Sequence, residues 1–111
     1  MTDQAIFDHI KSTVEADDIV LFMKGSPVFP QCGFSSLATK ILDVIGVEFA
    51  SVNVLEDMAV REGIKEYAKW PTIPQLYIKG EFVGGSDIMR EMYESGELKT
   101  LMLEKGVLSK D

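Results

Sequence analysis

The sequence predicts an α/β fold: a four-stranded mixed sheet with helices on both faces. Three observations carry that expectation. Ile19–Met23 is a continuous apolar run bounded by polar residues, the pattern of a strand buried on both faces. An amphipathic stripe separates it from a second β-rich stretch, Val47 to Val54, so these two strands should run parallel with a right-handed crossover. Near the C-terminal end, Gln75-Leu76-Tyr77-Ile78 and Glu81-Phe82-Val83 flank Lys79-Gly80, which reads as an antiparallel hairpin.

Each element follows from local pattern. Ile6, Phe7, Ile10 and Val14 form a first helical stripe that ends near Asp17-Asp18. His9 lies beside it with no ligand-spaced partner and reads as a surface histidine. After the buried strand, a Pro/Gly loop runs from Gly25 to Gln31 and delivers Cys32 at or just before the start of a helix. The apolar face of that helix is Phe34, Leu37, Ala38, Ile41, Leu42 and Ile45, and Gly46 stands where a C-terminal cap belongs. Glu56-Asp57 suits the start of the next helix, which carries Val60, Ile64, Tyr67 and Ala68. Arg61 and Lys65 lie one turn apart on an adjoining face; most such pairs belong to a solvated charge face. Trp70-Pro71-Thr72-Ile73-Pro74 breaks that helix, because each residue before proline is pushed toward extended geometry. Beyond the hairpin and Gly84-Gly85, Ser86 or Asp87 caps a helix bearing Ile88, Met89, Met92 and Tyr93. Gly96 interrupts, and a last helix with Leu98, Leu101 and Met102 closes at Gly106.

Bulk composition narrows the function classes. The 111 residues fit one domain of the usual ~100–150. A net charge of −7 with no Lys/Arg cluster argues against nucleic acid or an anionic membrane as partner. No apolar run approaches the ~20 residues of a membrane span, and no secretory signal is visible. One cysteine excludes an internal disulfide, and a reducing compartment, the cytoplasm, is the simplest home.

That cysteine is the centre of the chemistry. A lone cysteine is commonly a small buried hydrophobe. Cys32, however, follows a loop and sits out of phase with its helix's apolar face. At a helix start, unpaired amides and the dipole stabilise a thiolate, so its pKa should fall below the ordinary ~8.5. Lys24 adds positive charge at the end of the preceding strand. Sites in such sheets lie beyond the carboxyl ends of the strands, where this loop is placed.

Three motifs then stand in order: Met23-Lys24-Gly25-Ser26-Pro27 ahead of Cys32-Gly33-Phe34-Ser35, then Trp70-Pro71-Thr72-Ile73-Pro74-Gln75, then Gly84-Gly85-Ser86-Asp87. Together they resemble the monothiol, CGFS-type glutaredoxins of the thioredoxin fold, in single-domain form over residues 1–111. The resemblance implies a role for each matching residue. Cys32 would be the reactive thiolate and a cluster ligand. Lys24 and Arg61 would hold the glycine carboxylate of glutathione, and Ile73, before a cis Pro74, would pair its backbone with the tripeptide. Ser86 and Asp87 would meet the γ-glutamyl end, while Phe34 and Trp70 would pack around the site. Some relatives carry a second cysteine where Ser86 stands, so internal disulfide chemistry is in doubt here.

Ser35 occupies the position where a dithiol enzyme keeps its resolving thiol, and a hydroxyl cannot perform that exchange. The family implies a 2Fe–2S cluster bridging a homodimer through two cysteines and two glutathione thiols. It implies delivery in iron–sulfur protein maturation, with a BolA-like protein and apo iron–sulfur proteins as partners. The competing expectation is a glutathione-dependent oxidoreductase that removes glutathione from substrates with one cysteine.

Overall fold

A computed structural model of the chain describes residues 3–109. The elements are α1 (Asp3–Ala16), β1 (Ile19–Met23), α2 (Gly33–Ile45), β2 (Ala50–Asn53), α3 (Met58–Ala68), β3 (Gln75–Ile78), β4 (Glu81–Gly84), α4 (Ser86–Ser95) and α5 (Glu97–Glu104). A short 3-10 turn, Val54–Glu56, links β2 to α3. The strands form one sheet in the order β2-β1-β3-β4, with β1 parallel to β2 and antiparallel to β3, and β3 antiparallel to β4.

Alternation along β1 builds a core on each face of this sheet. Ile19, Leu21 and Met23 meet Leu76 and Ile78 of β3 and the apolar stripes of α2, α4 and α5. Val20 and Phe22 point the other way, onto Tyr77, Ile73 and the stripes of α1 and α3. A strand covered on both faces must be apolar at every position, which is why Ile19–Met23 has no polar residue. Gly63 brings α3 close to α1, since a Cβ there would collide with the Ile6 side chain.

Helix ends follow local chemistry. Asp57 caps α3, its side chain accepting from the N–H groups of Ala59 and Val60 at 3.0 and 3.2 Å. Gly46 ends α2 in the left-handed region. Lys79 and Gly80 both take positive φ, the geometry of a two-residue hairpin turn. Lys79 also ties that turn to the α1–β1 junction, through its N–H to the Asp18 carbonyl at 2.7 Å and its ammonium to the Asp18 carboxylate at 2.8 Å.

Four expectations are corrected. The second strand is Ala50–Asn53 and not Val47–Val54. Its pairing with β1 begins at Val20 opposite Ala50, so Val47 and Phe49 precede the sheet edge and pack against the core instead. Neither Ser86 nor Asp87 caps α4: the cap is Gly85, and Ser86 is already helical and buried. Phe34 is not on the buried face of α2; it is 62% exposed, because the first turn of the helix lies beyond the strand ends. Tyr93 likewise remains 40% exposed.

Candidate functional site

The register places one end of the sheet under all the predicted site residues. Met23 ends β1 opposite Asn53 at the end of β2, Phe22 lies opposite Gln75 at the start of β3, and Leu76 lies opposite Gly84 at the end of β4. Lys24, Ile73, Ser86 and Asp87 therefore leave the sheet at the same edge, and Arg61 lies early in α3, just past the turn that follows β2.

The loop ahead of Cys32 is closed by its own backbone. The Gln31 N–H donates to the Lys24 carbonyl at 2.8 Å, the Ser26 N–H to the Phe29 carbonyl at 3.2 Å, and the Phe29 N–H to the Ser26 hydroxyl at 3.1 Å. Gly25 takes φ +91°, and a Cβ there would lie 2.5 Å from the Phe29 carbonyl oxygen, so only glycine fits. Asn53 holds the loop from below, its Oδ1 accepting from the N–H groups of Gly25 and Leu55, both at 3.0 Å. The tip faces outward: Val28 is 80% and Phe29 72% exposed.

Cys32 is the N-cap of α2, with extended backbone, and its side chain is partly exposed. Its sulfur makes no capping hydrogen bond of ordinary geometry; it faces the open amide end of the helix. The Ser35 N–H holds its pKa below the usual thiol value. Partial burial opposes this, while the Phe34 N–H, the Lys24 charge and the Ser35 hydroxyl all act downward. Cys32 thus stands at a reachable helix start with its pKa lowered, the placement expected from the sequence.

Ser35 is fully buried, and its Oγ accepts the Lys24 N–H at 3.0 Å. The hydroxyl thus joins the end of β1 to the first turn of α2 and fixes Lys24 relative to Cys32. Arg61 is half-buried, and its Nε is a buried donor with no partner among the described residues. A guanidinium donor left in this way fits an acceptor brought from outside, such as a carboxylate.

The Trp70–Pro74 segment is fixed from both sides. A Schellman-type end to α3 leads into it, with the Lys69 N–H on the Glu66 carbonyl at 3.3 Å and the Trp70 N–H on the Lys65 carbonyl at 3.0 Å. The Ile73–Pro74 bond is cis. The Ile73 side chain is buried in the α1/α3 core, yet its main-chain N–H and C=O make no hydrogen bond among the described residues. A buried side chain under an unpaired peptide group leaves a backbone donor and acceptor open to hydrogen bonding from outside. Trp70 packs on Phe82 with ring centroids 5.8 Å apart. Ser86 is buried at the first helical position of α4, and Asp87 beside it is exposed.

Three residues escaped the reading of the sequence: Ser35 as an anchor, Asn53 as the loop's clamp, and Gln75. The signal for Gln75 was available, since a polar residue inside an otherwise apolar strand is informative. His9 is exposed, as expected. No group of three or more His, Cys, Asp or Glu among the described residues is arranged to hold a metal. A groove of about 660 Å³ lies at the opposite ends of the strands, lined by Asp18, Val47, Phe49 and Leu108 among others, and holds none of these site residues. No helix among the described residues is long and apolar enough to cross a membrane.

Comparison with known proteins agrees with this geometry. The glutaredoxin family model matches residues 19–83. An uncharacterized monothiol glutaredoxin (ycf64-like) of Synechocystis sp. is 52% identical over 93 residues, covering 84% of this chain and 87% of that protein. The solution structure of a monomeric truncated mutant of Trypanosoma brucei 1-C-Grx1 superposes with a TM-score of 0.85 at 44% identity, covering 95% of this chain and 96% of the other. A buckwheat glutaredoxin–glutathione complex shares the fold, with a TM-score of 0.84 at 21% identity over 96% of both chains. With its thioredoxin-like sheet and a lone cysteine capping the helix after β1, the chain belongs to the glutaredoxin family, among the monothiol glutaredoxins.

Proposed function

We propose that this monothiol glutaredoxin carries a 2Fe–2S cluster and delivers it to apo-proteins in iron–sulfur protein maturation. The observation that carries the reading is Cys32: a single, reachable, acidified sulfur, with no group of three or more His, Cys, Asp or Glu among the described residues arranged to complete a metal's shell. The donor set fits shared ligation. A 2Fe–2S cluster takes four ligands, commonly thiolates. One protomer supplies Cys32; a second protomer and two glutathione thiols complete the shell. The cluster supplies the iron and sulfide that are handed on.

Glutathione lies along the same edge of the sheet in this reading. Lys24 and Arg61 take its glycine carboxylate, and the unpartnered Arg61 Nε supports that assignment. Ile73 pairs its free peptide group with the tripeptide backbone. Ser86 and Asp87 receive the γ-glutamyl end, where the exposed Asp87 carboxylate faces the ligand's ammonium. The glutathione complex of buckwheat glutaredoxin supports a tripeptide site in this fold. The exposed apolar side chains of Val28, Phe29 and Phe34, close to Cys32 along the chain, support a protein partner over this surface. That partner is a second copy, exchanged for a BolA-like protein or an apo-protein during delivery. A reducing compartment such as the cytoplasm suits a protein whose lone thiol must stay free.

Anaerobic reconstitution with iron, sulfide and glutathione tests the reading. The expected product is a coloured dimer. It becomes colourless and monomeric when glutathione is omitted or Cys32→Ser is made. The lowered Cys32 pKa also favours a second reading, one-cysteine deglutathionylation, in which free glutathione resolves the mixed disulfide. Rapid turnover of a glutathionylated peptide by apo-protein, with no cluster taken up, decides for that reading.

A further inference from the structure

Gln75 is the first residue of β3 and is fully buried, although its neighbours Leu76, Tyr77 and Ile78 are apolar or aromatic. A buried amide is costly unless its donors and its acceptor are all matched. Here each is matched. Nε2 donates to the Trp70 carbonyl at 3.1 Å and to the Thr72 carbonyl at 3.2 Å. Oε1 accepts from the Tyr77 hydroxyl at 3.2 Å.

The Trp70 and Thr72 carbonyls can only accept and so face the NH₂ end, while the Tyr77 hydroxyl holds Oε1 at the other end. Burial pushes the Tyr77 pKa upward, so the hydroxyl stays protonated and remains a donor. With Oε1 held by that donor, the NH₂ group is turned toward the loop. Tyr77 itself is wedged between Phe22 and Phe82, with ring centroids 5.5 Å away on each side.

The consequence falls on Ile73. The carbonyls of Trp70 and Thr72 are drawn inward by one side chain, and Pro74 has no N–H. The peptide group of Ile73, between the two clamped carbonyls and the proline, has no intramolecular hydrogen-bond partner among the described residues. We infer that Gln75 is a positioning residue for the tripeptide site: held at its oxygen by Tyr77, its buried amide clamps the Trp70 and Thr72 carbonyls and so presents the Ile73 peptide group to glutathione. This rests on the reading that glutathione pairs with Ile73.

Titration calorimetry of the apo-protein with reduced glutathione tests it, on wild type, Gln75→Met and Tyr77→Phe. Gln75→Met keeps the side-chain volume and removes the clamp. Tyr77→Phe keeps the amide and removes the donor that holds its oxygen. Binding should weaken about tenfold in the first and about threefold in the second, at temperatures well below each variant's melting point. The pH midpoint of Cys32 alkylation should not change, since the end of α2 is untouched. A merely structural role lowers the melting point and leaves the affinity of the folded protein as it was; that result overturns the inference. If Gln75→Met does not fold, Tyr77→Phe decides, and unchanged affinity there overturns it equally. Wild type that fails to bind glutathione overturns the site reading itself, and the inference with it; wild type that binds, with unaffected variants, overturns the inference alone.

Discussion

The hydroxyl oxygen of Ser35 lies 3.0 Å from the backbone nitrogen of Lys24 and accepts its hydrogen bond. Ser35 stands three residues after Cys32, where a dithiol enzyme keeps its resolving sulfur, and here that position joins β1 to α2. Ser35→Ala leaves the Lys24 N–H without its partner in a closely packed place. It should lower stability by about 1–3 kcal/mol, read as a fall in the thermal midpoint. Cys32 should remain alkylatable in the folded variant, which separates this role from a catalytic one.

The lowered pKa of Cys32 has a measurable sign. The native state favours the thiolate, so between the folded pKa and the unfolded ~8.5 the unfolded chain binds more protons. Stability from this group is complete above that window and is lost as pH falls through the folded pKa. The difference in melting temperature between wild type and Cys32→Ser should therefore move in favour of wild type as pH rises through the window. Iodoacetamide alkylation should level off at a pH below that of an unstructured cysteine peptide. Lys24→Gln should move that midpoint upward, because it removes the positive charge that helps hold the thiolate.

Asn53 places one carbonyl oxygen between two backbone donors, Gly25 and Leu55. Asn53→Ala releases both at once. A loss of about 1–2 kcal/mol is expected, less than two fully buried amides would give, because water reaches the Leu55 side. Hydrogen exchange at Gly25 and across the loop to Gln31 should accelerate, while protection in the middle of β1 stays.

Gly63 lets α3 pack closely against α1. Helix propensity alone favours alanine there by about 1 kcal/mol. The new methyl would meet the branched side chain of Ile6, held between the two helices. Overpacking of this kind costs about 1–3 kcal/mol. Gly63→Ala should therefore lower the melting temperature. The double variant Ile6→Ala/Gly63→Ala should lose less than the sum of the two single changes, measured in a double-mutant cycle.

By itself the sequence determined the element order, the parallel pairing of β1 with β2, the antiparallel β3–β4 hairpin, and the place of Cys32. These depend on periodicity and on turn and cap residues, which are local: the apolar run of β1, the Lys79-Gly80 turn, Gly46 and Asp57. The chain's membership in the glutaredoxin family was legible for the same reason, since its motifs are short and contiguous. Tertiary structure decided the rest. The second strand begins at Ala50 because β1 offers a partner only from there. Phe34 is exposed because α2 starts beyond the sheet, although its spacing fits the apolar stripe. Above all, Gln75, Asn53 and Ser35 became interpretable only once their partners were in place. A buried polar side chain takes its meaning from the donors and acceptors that folding brings to it, and for Lys24 and Ser35, or Gly25 and Asn53, those stand 11 and 28 residues apart in the chain.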